Sequence, residues 1–454
     1  MFSQRSRLYA SLKKVPRCCR HYSDAAPAYH PKVRVYPFRV SPDDAVRDMS
    51  IAAALPVIGH YFSSLVARWF PALGFEPIKP ALLQPLYVPG WMIDAEVTGN
   101  AWVTYGEDTT QRTITAHAAN SYLPGFSTEP LARICLNDPK LYSLEPVPWS
   151  PELETQYGVK PLCLPFTLSP LGLLDAIRRL SYRDATIHDH FRFDPSSVRA
   201  NLLAAYPILI PVYLGRYDYD LGTEKISITV ILEASHQQGR VIAENALPVL
   251  SSYIKAQMGT NILASLGLAE GGEFLVHRGD AVPFSRIELL LSPRNNTRLV
   301  SDVNTWANTL ADARGSFERL ARVEEVARVD MDDLRVRAYT DEETLANRKW
   351  MALGLEQTVM QDMLNKIREG DASGARILRI GMGSPIASQD GQEDGASGSR
   401  GSGMSKKVGP FVFENTPGDQ FEKALEEKLD ELKRRREETK PGWLQELHAK
   451  EQES

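Results

Sequence analysis

The chain has 454 residues, of which 43% are hydrophobic, and its formal net charge at pH 7 is −5. This length and this apolar content are enough to bury a core, so they favour a globular protein of roughly two or three domains. A negative net charge weighs against a general affinity for nucleic-acid phosphates, and we therefore expect no nucleic-acid partner.

Residues 1–22 predict a cleavable mitochondrial presequence. The segment contains six positive residues and no acid, which is the bias of transit peptides. Residues 20–23 resemble the site at which matrix processing peptidases cut fungal presequences, so cleavage is expected between Tyr22 and Ser23. Loss of the six positive residues lowers the net charge from −5 to −11. A disordered basic tail is the alternative interpretation. A secretory signal is disfavoured, because the segment contains no apolar run of about seven residues.

The four cysteines do not form a metal-binding pattern. Cys18 and Cys19 leave with the presequence, and Cys135 and Cys163 are widely spaced in apolar surroundings. Without a C-x-x-C pair, neither a zinc ribbon nor a disulfide framework is supported. No cofactor is predicted.

Residues 51–73 form the longest apolar stretch. Pro56, His60 and Arg68 interrupt it, and its uninterrupted runs are shorter than the about 20 residues that cross a bilayer. A buried or interfacial helix is the preferred interpretation over a membrane span. Peripheral contact with the mitochondrial inner membrane is compatible with it.

The first half of the chain predicts one helix followed by strands. Ser41, Pro42 and two acids are typical of a helix start, and this helix should end near residue 54. Residues 84–105 predict a hairpin that turns at Thr98-Gly99-Asn100, and residues 110–117 predict a further strand. Proline-rich residues 122–168 predict an irregular crossing.

The second half begins with a short helix and a hairpin and then becomes helical. Helix is predicted for 171–180, and strands for 208–219 and 225–233, in which alternating apolar residues turn one face toward a core. Three further helices are predicted at 247–257, 302–329 and 340–370. The last of them opens with a capping box at Thr340.

These elements predict an α+β fold in which antiparallel β-hairpins form one or two sheets covered by helices. A helical C-terminal part and a disordered linker follow. The predicted units after the presequence are an α+β core with two similar strand-hairpin units at 36–245, a mainly helical region packed on it at 246–383, a linker rich in Gly and Ser at 384–409, and a charged C-terminal helix at 410–454.

The C-terminal helix carries a narrow apolar stripe of Phe421, Leu425, Leu429 and Leu432 among Glu, Lys and Arg. Such a stripe is too thin to build a domain of its own. It either docks on the body of the protein, or forms a coiled coil with a partner protein in the mitochondrion, or stays a solvated single helix.

Two stretches of sequence repeat one pattern. Residues 85–92 and 207–214 both read P-x-x-[VI]-P-x-[WY]-[ML], and both lead into strands. Because proline lacks an N–H, these prolines are expected on edge strands or at the start of strands. The repetition indicates either duplication of a strand unit or a chance similarity of strand entries.

The same residues carry a resemblance to a known family. In order along the chain, residues 37–41, 86–95, 144–153, 211–219 and 238–240 are similar to short motifs that follow the zinc ribbon in TFIIB-type zinc-ribbon-containing proteins, most of them prokaryotic. The resemblance spans residues 36–245 and implies a fold. It implies no metal site, because the ribbon itself is absent here.

Candidate chemistry is sparse. His188-Asp189-His190 is the most metal-like cluster, although a polar loop explains it better, so no metal site is predicted. No Gly-rich phosphate loop or nucleophile elbow occurs.

Two functions remain. The favoured one is a non-enzymatic mitochondrial matrix protein, an assembly, scaffold or adaptor factor. The alternative is an enzyme or small-ligand carrier whose pocket lies between the two hairpin units and is lined by four aromatic residues: Tyr87, Trp91, Tyr213 and Tyr217.

Overall fold

The computed structural model confirms the α+β fold class. It describes residues 29–54, 77–105, 108–126, 131, 136, 138–220, 225–237, 239–244, 274–276, 287–290, 329–368, 407–408, 411–412 and 418–453. Among these residues, no helix combines the length and the apolar content needed to cross a membrane. The predictions for the presequence, the cleavage site, most of 51–73, the helices at 247–257 and 302–329 and most of the linker lie outside them.

One large mixed sheet organises the fold. Its strands are β1 (Arg34–Val35), β2 (Leu82–Tyr105), β3 (Asp108–Pro124), β4 (Val147–Pro148), β5 (Leu162–Cys163), β6 (Thr186–His188), β7 (Phe191–Phe193), β8 (Arg199–Asp220), β9 (Lys225–Glu233), β10 (Val241–Glu244), β11 (Phe274–Val276) and β12 (Ile287–Leu290). The main path runs β11-β10-β9-β8-β2-β3-β12, with the other five strands paired at its margins. A separate two-stranded sheet pairs β13 (Lys407–Val408) with β14 (Phe411–Val412).

The helices lie on both faces of the sheet. They are α1 (Pro42–Ala54), α2 (Leu173–Arg178), α3 (Asp341–Arg368), α4 (Gly418–Glu438) and α5 (Gly442–Glu453). The predicted start of α1 is confirmed, since Ser41 Oγ accepts the N–H of Asp44 at 3.2 Å. At the start of α3, the Thr340 hydroxyl accepts the N–H of Glu343 at 3.4 Å.

The two repeated stretches pair with each other at the centre of the sheet. β2 and β8 run antiparallel with Val88 opposite Ile210, so each stretch meets the other in reverse. Pro85 therefore faces Tyr213, and Pro207 faces Trp91. A local two-fold axis relates the two copies, and their origin by duplication stays a prediction.

The expectation that these prolines occupy edge strands or strand starts is wrong, because they lie inside the two longest strands. The carbonyls of Tyr87, Pro89, Leu209 and Pro211 point away from the β2–β8 ladder and accept N–H groups of other segments. In an extended strand the N–H of a residue points to the same side as its carbonyl, so these alternate positions form non-hydrogen-bonded pairs between β2 and β8. The missing proline N–H groups thus cost the central ladder nothing.

The predicted turn at Thr98-Gly99-Asn100 is also wrong. β2 runs through these residues without a break, with Gly99 opposite Ile114 on β3. The apolar alternation continues past the glycine, because Ala101 and Val103 are buried on one face. Burial on both sides of Gly99 therefore outweighs its local turn preference. The hairpin of 208–219 with 225–233 is confirmed by β8 and β9.

The side chains of β2 divide the core into two layers. Even-numbered Leu86, Val88 and Met92 face α3 and α5, whereas odd-numbered Tyr87 and Trp91 face the side that carries α1 and the irregular crossing. On the first side, Trp350 of α3 and Trp443 of α5 close the core.

The C-terminal part is two helices rather than one, because Pro441 follows the end of α4 and cannot continue it. We call α4 and α5 together the C-terminal arm. Its apolar stripe docks on the body, since Leu425, Leu429 and Leu432 are buried against α3 in a seam with Leu353 and Leu364.

The centre of the sheet can be tested at Gly90 of β2, where a Cβ atom would lie 2.6 Å from the Tyr122 ring. We expect Gly90→Ala to lower the free energy of unfolding by about 1–3 kcal/mol, the usual cost of overpacking. Gly172→Ala is the matched control, because nothing lies within 4 Å of its Cβ position. Urea unfolding measures both, and equal stability of the two variants would contradict the described packing.

Candidate functional site

The candidate site is a buried polar seam where the sheet meets α3 and the C-terminal arm. Along the even-numbered face of β2, the apolar residues up to Met92 are followed by Asp94 and Glu96, whose exposed fractions are 0% and 1%. Beyond them the same face continues with polar Thr98 and Asn100. The two acids thus lie beneath α3, directly after the apolar part of this face.

A β-bulge shapes the seam beside Asp94. Between the pairs Ile93–Ser121 and Ala95–Ala118, β3 has two residues where β2 has one. Asn120, one of the two, adopts a left-handed backbone with φ of 51°, which Asn tolerates better than most residues. Its N–H donates to Asp94 Oδ1 at 2.9 Å. The bulge therefore aims a backbone donor at the buried carboxylate.

Two further groups hold Asp94. The hydroxyl of Tyr206 donates to Oδ2 at 3.0 Å, and Arg348 Nε of α3 lies 3.4 Å from the same oxygen. Burial raises the pKa of Asp94, while Arg348 and the two hydrogen bonds oppose the rise. Burial and the neighbouring Asp94 also raise the pKa of Tyr206.

The hydrogen bonds continue from Asp94 into α3 and α5. Asn347 donates from Nδ2 to the Tyr206 hydroxyl at 2.7 Å and accepts the indole N–H of Trp443 at 3.1 Å. On the other side, the Tyr339 hydroxyl donates to Asn120 Oδ1 at 3.0 Å. One chain of polar contacts therefore joins β2, β3, β8, α3 and α5.

Glu96 is the second anchor of the seam. Its Oε1 accepts Arg436 Nη2 of α4 at 2.6 Å and Asn201 Nδ2 of β8 at 2.7 Å. His117 Nε2 of β3 lies 3.5 Å from the other carboxylate oxygen. The guanidinium of Arg436 also stacks on the Trp350 ring at 3.9 Å. The arm is thus attached to the sheet by a buried charge pair.

Gly354 of α3 makes room for this charge pair. A Cβ atom at this position would lie 2.6 Å from both Glu96 Oε2 and Arg436 Cζ. A glycine inside a helix costs stability relative to alanine, by about 1 kcal/mol. Here the glycine lets the ion pair lie against the helix backbone.

This arrangement is suited to holding elements together. A catalytic acid or base needs an open position beside a reacting atom. Asp94 and Glu96 instead lie under the helices, and protein groups surround their oxygens. Many active sites nevertheless contain a buried acid with a raised pKa, and Asp94 is the residue of the seam that has this property.

A second buried charge cluster lies near the turn from β9 to β10. Glu233 forms a two-bond ion pair with Arg240, whose Nε lies 3.7 Å from Asp138. His236 lies between Ser235 Oγ at 3.1 Å and Asp138 Oδ2 at 3.5 Å. The series resembles a hydrolase triad in composition, but Ser235 is buried with 2% exposure, so its hydroxyl does not face a substrate.

The four aromatic residues predicted to line a pocket lie in two clusters. Tyr87 and Tyr213 pack against Phe38, and Tyr217 belongs to the same apolar cluster. Burial raises the pKa values of all three tyrosines. Trp91 packs in a neighbouring cluster and donates its indole N–H to the Leu168 carbonyl at 2.9 Å. All four rings are buried.

The His188 and His190 rings are exposed, with their centroids 5.3 Å apart. Their backbones meet at the β6–β7 turn, where the His190 N–H donates to His188 Nδ1 at 3.3 Å. No group of three His, Cys, Asp or Glu side chains in the described ranges could hold a metal ion.

The seam was not predicted from the sequence. Asp94, Glu96, Arg348 and Arg436 attracted no functional assignment. The available signal was their position, because Asp94 and Glu96 extend the even-numbered face of a strand whose earlier members are apolar. When such a face is buried, the charges on it require partners.

No family model, no curated protein and no solved structure matches this chain. The resemblance to zinc-ribbon-containing proteins therefore stays a prediction.

His117 makes the seam sensitive to acid. Burial lowers its pKa from 6.5, Arg436 lowers it further, and Glu96 opposes them. The folded protein therefore prefers neutral His117, whereas the unfolded chain binds a proton more readily at this residue. The contribution of His117 to stability is complete above pH 6.5 and is lost as the pH falls below that value. We expect the urea midpoint of the wild type to fall between about pH 7 and about pH 5, and to fall less in His117→Gln.

The control for this experiment is His190→Gln, which removes an exposed imidazole and should keep the pH dependence of the wild type. If His117→Gln and the wild type lose the same stability on acidification, His117 is not a neutral member of the seam.

Proposed function

We propose that this chain is a non-enzymatic mitochondrial matrix protein that acts as an assembly, scaffold or adaptor factor. One observation carries the proposal. The most buried acids of the described chain, Asp94, Glu96 and Glu233, are each engaged by an arginine and by hydrogen bonds inside the protein. Their charges support the junctions between elements, which is what a rigid binding platform requires.

The C-terminal arm is the proposed partner-binding element. Because α3 already covers its apolar stripe, a partner would contact the outer face of α4 rather than complete a coiled coil through that stripe. Asp430, Arg434 and Glu438 follow one another at four-residue spacing on this face, and their side chains are 76%, 72% and 64% exposed. Peripheral contact with the inner membrane through 51–73 remains part of the proposal.

A second function, an enzyme or small-ligand carrier, is favoured by a different observation. The hydroxyls of Tyr87 and Tyr217 are buried and hydrogen-bond to no atom of the described residues. A buried hydroxyl without a partner is unfavourable by about 1–3 kcal/mol, and a polar atom of a ligand would relieve this. Both residues belong to the predicted aromatic pocket.

Proximity labelling in mitochondria tests the scaffold proposal, with a biotin ligase fused to the C-terminus of the complete chain. We expect a reproducible set of matrix proteins whose labelling falls at least about tenfold when Asp430, Arg434 and Glu438 are all changed to Ala, the loss that follows from about 1.4 kcal/mol of binding energy.

The matched control changes three exposed charges elsewhere, Glu152, Arg216 and Asp218, to Ala and should leave the labelled set unchanged. A protein that is recovered only as a monomer, or whose labelled set is the same in both triple variants, would contradict a partner on the outer face of α4.

A further inference from the structure

The far end of the sheet carries an arginine that lies against two aromatic rings. Arg192 of β7 lies opposite Trp102 of β2 in the sheet register. Its guanidinium carbon is 4.2 Å from the centre of the Trp102 ring and 3.9 Å from the centre of the Tyr182 ring. We call these three residues the Arg192 platform.

The charge of Arg192 has no carboxylate partner among the residues that the structure describes. Neither an ion pair nor a hydrogen bond joins its side chain to any residue in the described ranges, and its Nε is buried without a hydrogen-bond partner. The other arginines that reach into the fold differ in this respect. Arg240, Arg348 and Arg436 each lie beside a buried acid.

The geometry determines which ligand group fits the platform. Two rings lie against the guanidinium, so its N–H groups are the part of it left to bind a ligand. A planar guanidinium edge matches the two oxygens of a carboxylate or phosphate. The stacking also fixes the orientation of the fork before a ligand arrives, which lowers the entropy lost on binding.

The surroundings favour a protein ligand over a polyphosphate. Tyr182 is 71% exposed, and the adjoining strand face presents the exposed polar side chains of Thr109, Gln111 and Thr113. Exposed Asp189 lies on the β6–β7 turn, where its charge opposes a second anionic group. Trp, Tyr and Arg are also the residues that dominate the energetics of protein interfaces.

We propose that the Arg192 platform binds a segment of a partner protein in which a Glu or Asp side chain stands next to an aromatic or aliphatic residue. The carboxylate pairs with the edge of the guanidinium, and the apolar neighbour packs on Tyr182. This surface is separate from the outer face of α4, so its test does not depend on the proposed function.

Selection of displayed random peptides of about twelve residues on the complete chain tests the proposal, because short segments suffice for this kind of recognition. We expect enrichment of peptides that place Glu or Asp beside an apolar residue. Their affinity should fall at least about tenfold in Arg192→Gln, in Arg192→Lys, which keeps the charge but loses the planar fork, and in Tyr182→Ala.

Arg199→Gln is the control, because Arg199 is an exposed arginine at the start of the neighbouring β8 and should leave binding unchanged. Tyr182→Ala keeps the test independent of folding, since so exposed a ring contributes little to the core. Three results would overturn the proposal: no acidic enrichment, equal binding by all variants, or tighter Arg192-dependent binding of a thymidine oligonucleotide of about twelve nucleotides, which would indicate a nucleic-acid site.

Discussion

The ion pair of Glu96 with Arg436 is the interaction on which the rest of the fold depends. Glu96 lies on the face of β2 that α3 covers, so its charge needs a partner that reaches the same buried place. The partner comes from α4, at a separation of 340 residues. A strand in the first quarter of the chain therefore requires the last helices to be docked, and Gly354 provides the space.

Asp94 imposes the same constraint on α3 and α5. Its contacts with Tyr206 and Arg348 continue through Asn347 to Trp443. These polar contacts cross the boundary between the sheet and the helices, where apolar packing alone would fix the helix positions less specifically. Apolar packing supplies the larger share of stability but tolerates sliding. Directional contacts to buried acids fix one arrangement of the helices.

Much of the secondary structure could be predicted from local pattern, and the seam could not. Alternation in 225–233 and the Ser41 cap are local signals, and both elements formed as predicted. The turn predicted at Gly99 was wrong because the residues on both sides of this glycine are held in β2 by pairing with β3, which the local sequence does not reveal. The prolines of β2 and β8 misled for a similar reason. Their missing N–H groups would point away from the β2–β8 ladder, and this orientation is set by the pairing of the two strands. Pairing of Glu96 with Arg436 depends on tertiary contacts that no sequence period reports.

The central claim is tested most directly by the free energy of unfolding of Arg436→Ala, measured in urea. Removal of one member of a buried pair leaves the other charge unpaired, so we expect a loss of about 3–5 kcal/mol, together with faster amide hydrogen exchange in α4 and α5. Arg434→Ala, two residues away and 72% exposed, should stay within about 0.5 kcal/mol of the wild type. If Arg436→Ala is as stable as Arg434→Ala, the buried pair does not hold the arm.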